Sequence, residues 1–220
     1  FNDPWGDGID KAFTALAGPA GINIVANERY ARTDTSVEAQ VLKILAAKPD
    51  AVLIGGSGTP GALPAISLAG RGYKGAVYGN HGMVNPDFLR VGGKSVEGLI
   101  APTGPLVVVE LLPDSSPVKS IASSFVKAYD AAYGVQNRNA FAGYAYDANV
   151  LLEKAVPEAM KPAKPGTPAF RAALRNALEN LREVAGTHGV YTMSPGNHNG
   201  MDARARVMVK VESGAWKMLQ

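Results

Sequence analysis

The sequence of 220 residues contains no cysteine and no long apolar run. Without cysteine the chain forms neither disulfide bonds nor cysteine-based zinc sites, which is compatible with any cellular compartment. None of its apolar runs approaches the ~20 residues that a membrane-spanning helix needs. Charged residues make up only 19% of the chain, with a net charge of +3. Because these charges are scattered and no basic block or aromatic-interleaved basic stripe occurs, we expect no nucleic-acid partner.

The chain also lacks an initiator methionine and a signal peptide. It opens on Phe1-Asn2-Asp3-Pro4, which is typical of the last residue of a strand followed by a turn. Because natural domains rarely begin at such a point, we expect that the N-terminal part of the protein is missing from this chain. The remaining length is enough for one large hydrophobic core or two modest ones.

The first part of the chain, residues 1–101, repeats a strand, a loop and a helix. The repeat recurs every 25 to 30 residues, roughly the size of a βαβ unit. Such units predict an α/β fold with one parallel sheet, helices on both faces and the loops at the carboxyl ends of the strands along one edge. The predicted strands are residues 22–26, 51–54, 76–78 and 98–101, and the predicted helices are residues 7–18, 35–47, 60–71 and 85–90. Thr35 and Glu38 form a candidate capping box for the second of these helices.

The pattern changes after residue 102. Prolines bracket an apolar run over residues 106–112, which we expect to be extended. Helices are predicted over residues 117–134, from 139 or 140 past 155, and over 168–181. The last 30 residues favour strands, with a two-stranded hairpin or a strand returning to the sheet over residues 204–219.

The most informative stretch is the glycine-rich loop over residues 55–61, Gly-Gly-Ser-Gly-Thr-Pro-Gly. It follows an apolar strand that is predicted to be buried on both faces. Thr59 and Pro60 suit the start of a helix, whose free N–H groups and dipole attract negative charge. This loop is therefore the predicted place for a small anionic ligand.

This loop also has two enzymatic interpretations. Residues 56–61 match the dinucleotide fingerprint G-x-G-x-x-G, but the place of its acidic residue is held by Gly79, Asn80 and His81. A hydrolase triad of Ser57, His81 and a carboxylate such as Asp34 remains an alternative. The three histidines show no metal-binding spacing, so neither a metal nor a cofactor is expected.

Trp5 and His81 each have two interpretations. Trp5 lies in a polar turn at the end of the presumed first strand, where it can pack on its own helix or form an aromatic wall for a ligand. His81 can hydrogen-bond its own loop, or it can donate to a ligand carboxylate.

A set of motifs in a fixed order resembles one known family. The motifs are Asp3-Pro-Trp-Gly-Asp-Gly8, Asn27-Glu-Arg-Tyr30, Thr33-Asp-Thr-Ser36, Lys48-Pro-Asp-Ala-Val-Leu53, Val96-Glu-Gly-Leu99, Phe125-Val-Lys-Ala-Tyr129 with Tyr133-Gly134, and Tyr144-Ala-Tyr-Asp-Ala148. Together they resemble the periplasmic substrate-binding proteins of ABC transporters, in the branched-chain amino acid (Leu/Ile/Val-type) family. The resemblance covers essentially the whole chain.

The resemblance implies a type I periplasmic binding protein, with two Rossmann-like lobes that trap the ligand by hinge closure. Residues 1–101 correspond to the C-terminal lobe without its first strand, and residues 102–203 to the later part of the N-terminal lobe. Residues 204–220 correspond to the return to the C-terminal lobe. The missing part of the N-terminal lobe carries the groups that usually hold the ligand carboxylate.

The resemblance also implies ligand-binding residues. Trp5 matches the family's aromatic after the first strand of this lobe, and Ser57 and Gly58 match a loop that supplies a second contact. His81 falls where amino-acid binders place a glutamate for the ligand ammonium, with Asn80 beside it. Because a histidine does not compensate a buried ammonium as a carboxylate does, we expect a ligand that is not an ordinary α-amino acid.

The resulting expectation is a non-enzymatic, periplasmic receptor that delivers a small aromatic or aliphatic carboxylate to the membrane subunits of an ABC permease. The alternatives are a ligand-sensing domain of a regulator with the same fold, and a serine hydrolase that uses Ser57 and His81.

Overall fold

The computed structural model describes residues 1–219, which form two compact units. Unit 1 consists of Phe1–Pro102 with residues 208–219, and unit 2 is Thr103–Val207. The strands, numbered in chain order, are β1 (Ala51–Leu53), β2 (Ala76–Tyr78), β3 (Ile100–Thr103), β4 (Val184–Ala185), β5 (Val190–Tyr191), β6 (Val207–Glu212) and β7 (Ala215–Met218).

A five-stranded mixed sheet with the order β1-β2-β3-β6-β7 organises unit 1. The pairs β1–β2 and β2–β3 are parallel, as the repeat in the sequence predicted. Strands β6 and β7 form an antiparallel hairpin in which Val211 faces Trp216, which confirms the predicted hairpin. The helices of this unit are α1 (Pro4–Ala17), α2 (Glu38–Ala46), α3 (Ala62–Gly70) and α4 (Pro86–Gly92).

Side chains of the predicted type cap two of these helices. Asp3 accepts a hydrogen bond from the Gly6 N–H at the start of α1, and Asn85 accepts one of 2.9 Å from the Phe88 N–H at the start of α4. Each cap satisfies a backbone donor that has no partner within the helix. After β1 the chain first makes a 3₁₀ turn, Thr59–Gly61, and only then enters α3.

The predicted strand over residues 22–26 is wrong. The structure gives this segment no regular secondary structure, and Ile22, Ile24 and Val25 are exposed. Alternating apolar residues favour an extended chain, but a strand also needs a neighbour with which to pair. None of residues 1–219 forms a ladder with this segment.

The prediction that β1 is buried on both faces is also wrong. Val52 is half-buried and packs with Val77 against the core of this unit. Leu53 and Tyr78, which point to the opposite face, are 38% and 39% exposed. Within the described chain one face of these two strands is therefore covered and the other is open.

The predicted capping box at α2 does not form. The N-cap is Val37, which makes no side-chain cap. Glu38 instead accepts hydrogen bonds from the Ser67 hydroxyl at 2.5 Å and from the Arg71 guanidinium at 2.7 and 2.9 Å, both of them far along the chain. A tertiary ion pair therefore replaces the local cap.

Helices dominate unit 2: α5 (Lys119–Tyr133), α6 (Ala140–Met160) and α7 (Pro168–Glu179). The predicted starts of α6 and α7 are confirmed: Asn139 and Thr167 cap these helices, each accepting a hydrogen bond at 3.1 Å from the backbone N–H three residues on. The apolar run after Pro105 is a kinked 3₁₀ helix, Pro105–Leu111, and not the predicted extended segment. It packs on α5 and α6 and buries Leu106, Val108 and Val109, so that packing outweighs the β propensity of its residues.

A buried carboxylate joins α6 to the β4–β5 hairpin. Asp147 is 1% exposed and accepts hydrogen bonds from the Thr187 N–H at 2.5 Å, the His188 N–H at 3.0 Å and the Tyr191 hydroxyl at 2.8 Å. Burial, with the adjacent Asp147, raises the pKa of Tyr191, so its hydroxyl keeps the proton that it donates.

No helix within residues 1–219 combines the length and the apolarity needed to cross a membrane.

Replacing Asp147 by Asn should destabilise the protein by about 2–3 kcal/mol, because one amide NH₂ group would then face donors in place of a charged acceptor. Urea unfolding followed by circular dichroism measures this change. The matched control is Asp114→Asn, since the Asp114 side chain is 99% exposed and pairs with Lys119 at the surface; we expect little change there. An unchanged midpoint for the Asp147 variant would contradict the structural role.

Candidate ligand-binding site

Two loops at the carboxyl ends of β1 and β2 carry most of the predicted site residues. The first loop follows Ile54 and includes Ser57 and Gly58, and the second includes Asn80 and His81. The Gly58 N–H donates to the Gly82 carbonyl at 3.1 Å, so the loops are in direct contact. The structure therefore brings these four predicted residues together, as the parallel sheet required.

Asn80 ties the two loops together. Its amide nitrogen donates to the carbonyls of Ile54 at 3.2 Å and Gly56 at 2.6 Å, and its oxygen accepts from the Gly82 N–H at 2.8 Å. The residue is only 7% exposed. Both amide hydrogens are thus committed to backbone, and the role that the structure gives to Asn80 is to hold the loops. Direct contact with a ligand stays a prediction for this residue.

Glycines allow the close approach of the loops. Gly58 has φ +58°, a conformation that residues with a side chain rarely adopt. A Cβ atom at Gly82 would lie 2.8 Å from the Cβ atom of Ser57. Ser57 therefore packs directly against the backbone of the second loop.

Trp5 lies in the first turn of α1 and is half-buried. Its ring is 5.9 Å from that of Phe1, centroid to centroid, and it packs against the core cluster of Phe1, Tyr30 and Val37. The Phe1 backbone nitrogen donates to the Gly55 carbonyl at 2.8 Å, which brings this turn to the β1 loop. Trp5 therefore packs on this cluster and not on its own helix as the packing interpretation had it, and the aromatic wall stays a prediction.

His81 opens the 3₁₀ turn His81–Met83 and is exposed as a residue. The protein that surrounds its imidazole removes water from it and lowers its pKa below the ordinary value of 6.5. The ring is therefore neutral at pH 7, and it adds no charge to this edge of the sheet.

Arg32, which the sequence did not single out, contacts a predicted site residue. Its Nε donates to Asp3 Oδ2 at 2.6 Å and its Nη1 to Ser57 Oγ at 3.0 Å. The guanidinium carbon lies 4.1 Å from the Phe1 ring centroid and 5.6 Å from that of Trp5. The loop over residues 27–34 was predicted to lie at this edge, and a count of its cations would have identified Arg29 and Arg32 as the candidates.

The same geometry does not form a hydrolase relay. The side-chain partner of the Ser57 hydroxyl is Arg32, which is a donor and cannot act as a base. Asp34 accepts the Ala31 N–H at 2.8 Å within its own loop. Among residues 1–219 no group of three or more His, Cys, Asp or Glu side chains could hold a metal ion.

Comparisons with known proteins identify the family. A family profile described as "Periplasmic binding protein" matches residues 1–215. No curated protein matches the chain.

Solved structures show the same relationship. A protein of Rhodopseudomonas palustris (strain CGA009) is 43% identical with a TM-score of 0.97, over 100% of this chain and 62% of its own. An extracellular ligand-binding receptor from strain HaA2 of that species is 41% identical with a TM-score of 0.97, over 100% of this chain and 62% of its own.

A leucine-binding protein from Thermotoga maritima, 21% identical with a TM-score of 0.81 over 99% of this chain and 57% of its own, shares the fold. The chain spans about three fifths of the length of these relatives. The matches confirm the predicted α/β fold of type I periplasmic binding proteins and the predicted family. The chain belongs to the periplasmic binding protein family.

Proposed function

We propose that this chain is part of an extracytoplasmic receptor of an ABC importer. The receptor is located in the periplasm, where it binds a small aromatic or aliphatic carboxylate and passes it to the membrane subunits of the permease. Support for transport comes from relatives such as a putative branched-chain amino acid ABC transporter from Rhodospirillum rubrum, 25% identical over 99% of this chain. Closure of two lobes around the ligand, with unit 1 as the C-terminal lobe, rests on the family resemblance alone.

The choice of ligand rests on His81, which the family resemblance puts at the place of the ammonium-binding glutamate and whose lowered pKa keeps it neutral. A neutral imidazole does not offset the charge of an ammonium in a closed pocket. Asp3 is the carboxylate at the Trp5 turn, and it is already engaged by Arg32 and by the Gly6 N–H. The described wall therefore offers an α-amino acid no uncommitted counter-charge.

The proposed wall consists of Trp5, Ser57, Gly58, Asn80 and His81. Trp5 supplies an aromatic face, Ser57 supplies a hydroxyl that can donate, and His81 supplies a ring N–H. Gly58 and Asn80 shape the two loops on which these groups stand. Such a mixture of an apolar face and a few oriented polar groups is typical of sites for small organic molecules.

A thermal-shift screen of the full-length protein tests the ligand class. Benzoate, 3-phenylpropanoate or hexanoate should raise the melting temperature by several degrees at a free ligand concentration of about 100 times Kd. At that concentration, binding to the native state contributes about 2.7 kcal/mol to stability. Leucine and valine should not change it. If leucine or valine stabilises the protein and the acids do not, the family assignment stands and the proposed ligand class is wrong.

Trp5→Leu should weaken binding of the stabilising acid by roughly tenfold, equivalent to about 1.4 kcal/mol, because the aromatic face is lost while apolar packing is kept. Isothermal titration calorimetry measures the affinity, and thermal unfolding without ligand measures the effect on the fold. The control is Trp216→Phe, since Trp216 stacks on Phe88 at 5.9 Å. Unchanged affinity in the Trp5 variant would remove it from the site.

A further inference from the structure

A ligand without an amino group creates a charge that the protein must balance. An α-amino acid carries an ammonium next to its carboxylate, so it enters a pocket with no net charge. A simple carboxylate enters with one negative charge, and desolvating an uncompensated charge is costly. This inference rests on the function proposed above: a cation in the site would offset that cost.

Among the predicted site residues no side chain is a cation at pH 7. Trp5, Ser57 and Asn80 are uncharged, and the pKa of His81 is lowered by burial of its ring. Arg32 is the cation that hydrogen-bonds a predicted site residue directly, through Nη1 to Ser57 Oγ at 3.0 Å.

We propose that Arg32 is a specificity-determining residue: it binds the ligand carboxylate and so selects acids without an amino group over α-amino acids. A guanidinium has five N–H donors in a rigid planar fork that matches a carboxylate. The hydrogen bonds within residues 1–219 engage Nε with Asp3 and Nη1 with Ser57. The side chain is 46% exposed, and neither of these hydrogen bonds uses Nη2.

The surroundings hold the guanidinium in one orientation. The ion pair with Asp3 fixes the Nε edge, and Asp3 is itself fixed as the N-cap of α1. The guanidinium carbon lies over the Phe1 ring, 4.1 Å from its centroid, and 5.6 Å from the centroid of the Trp5 ring. Arginine favours such stacking on aromatic faces. The stacking places the positive charge beside the aromatic wall, so that a flat acid could contact the wall with its ring and the guanidinium with its carboxylate.

Arg29, three residues earlier in the same segment, shows the contrast. It pairs with Asp7 and with Asp10 on α1 and makes no hydrogen bond to the predicted site residues. Arg29 thus has two carboxylate partners, whereas Arg32 has one, Asp3. Arg29 is similarly exposed, at 40%, and therefore makes a matched control.

The test compares Arg32→Gln, Arg32→Lys and Arg29→Gln in the full-length protein. Affinities are measured by calorimetry for benzoate with benzamide, and for hexanoate with hexanamide, after the wild type has been screened with the acids. Arg32→Gln should weaken binding of the acid at least tenfold and change binding of the amide less than twofold. Arg32→Lys should be intermediate for the acid, because it keeps the charge and loses the fork. Arg29→Gln should equal the wild type.

The outcomes separate this inference from the proposed function. A wild type that binds none of the acids defeats the proposed function, and the role of Arg32 falls with it. If the acids bind and Arg32→Gln leaves their affinity unchanged, the proposed function stands and the inference is overturned. The inference is also overturned if Arg32→Gln lowers the affinities for acid and amide by the same factor, or if Arg32→Lys binds the acid no more tightly than Arg32→Gln. The Arg32 side chain would then act only as a tie between Asp3 and Ser57.

Discussion

The tie made by the Asn80 side chain is the constraint on which the candidate site depends. Parallel strands leave their loops at one edge of a sheet, where backbone bonds past the strand ends are few: Ile54 N–H to the Tyr78 carbonyl at 2.8 Å and Gly58 N–H to the Gly82 carbonyl at 3.1 Å. The Asn80 amide extends that connection by bonding the carbonyls of Ile54 and Gly56. Its oxygen accepts a hydrogen bond from the Gly82 N–H and so stabilises the turn that follows Asn80. Ser57 and His81 stand on the two sides of this tie, so their separation is set by a buried amide and not by two independent loops.

Charge is distributed unevenly around this tie. The residues that the resemblance singled out are neutral, and the charges lie one step further out, in the Asp3–Arg32 pair. In the proposed site, the charge that the ligand carries therefore depends on Arg32, which lies in the loop over residues 27–34. A glutamate at the place of His81 would suit an ammonium, whereas a neutral ring there, with a guanidinium at Ser57, suits a group of the opposite sign.

Prediction from the sequence succeeded where the deciding interaction is local. The caps at Asn85, Asn139 and Thr167 each depend on contacts within three residues, and each is observed. It failed where a distant partner decides. The Glu38 carboxylate is drawn to Ser67 and Arg71, and residues 22–26 have no strand beside them in the described chain. For the site, the edge of the sheet and its loops were predictable, but Arg32 was not singled out, because its contacts with Asp3 and Ser57 span 29 and 25 residues.

Asp147 shows that this chain can bury a carboxylate with neutral donors, since two backbone N–H groups and one hydroxyl bind it at 3.0 Å or less. Neutral donors also bind ligand carboxylates, but Asp147 and a ligand differ in how the cost of desolvating the carboxylate is offset. Asp147 loses its water once, during folding, when the burial of the whole of unit 2 offsets that cost. A ligand loses its water in every binding event and has only its own contacts to offset the loss. A preorganised guanidinium, oriented by Asp3 before the ligand arrives, reduces that cost in a way that flexible neutral donors do not, because its orientation is established when the protein folds.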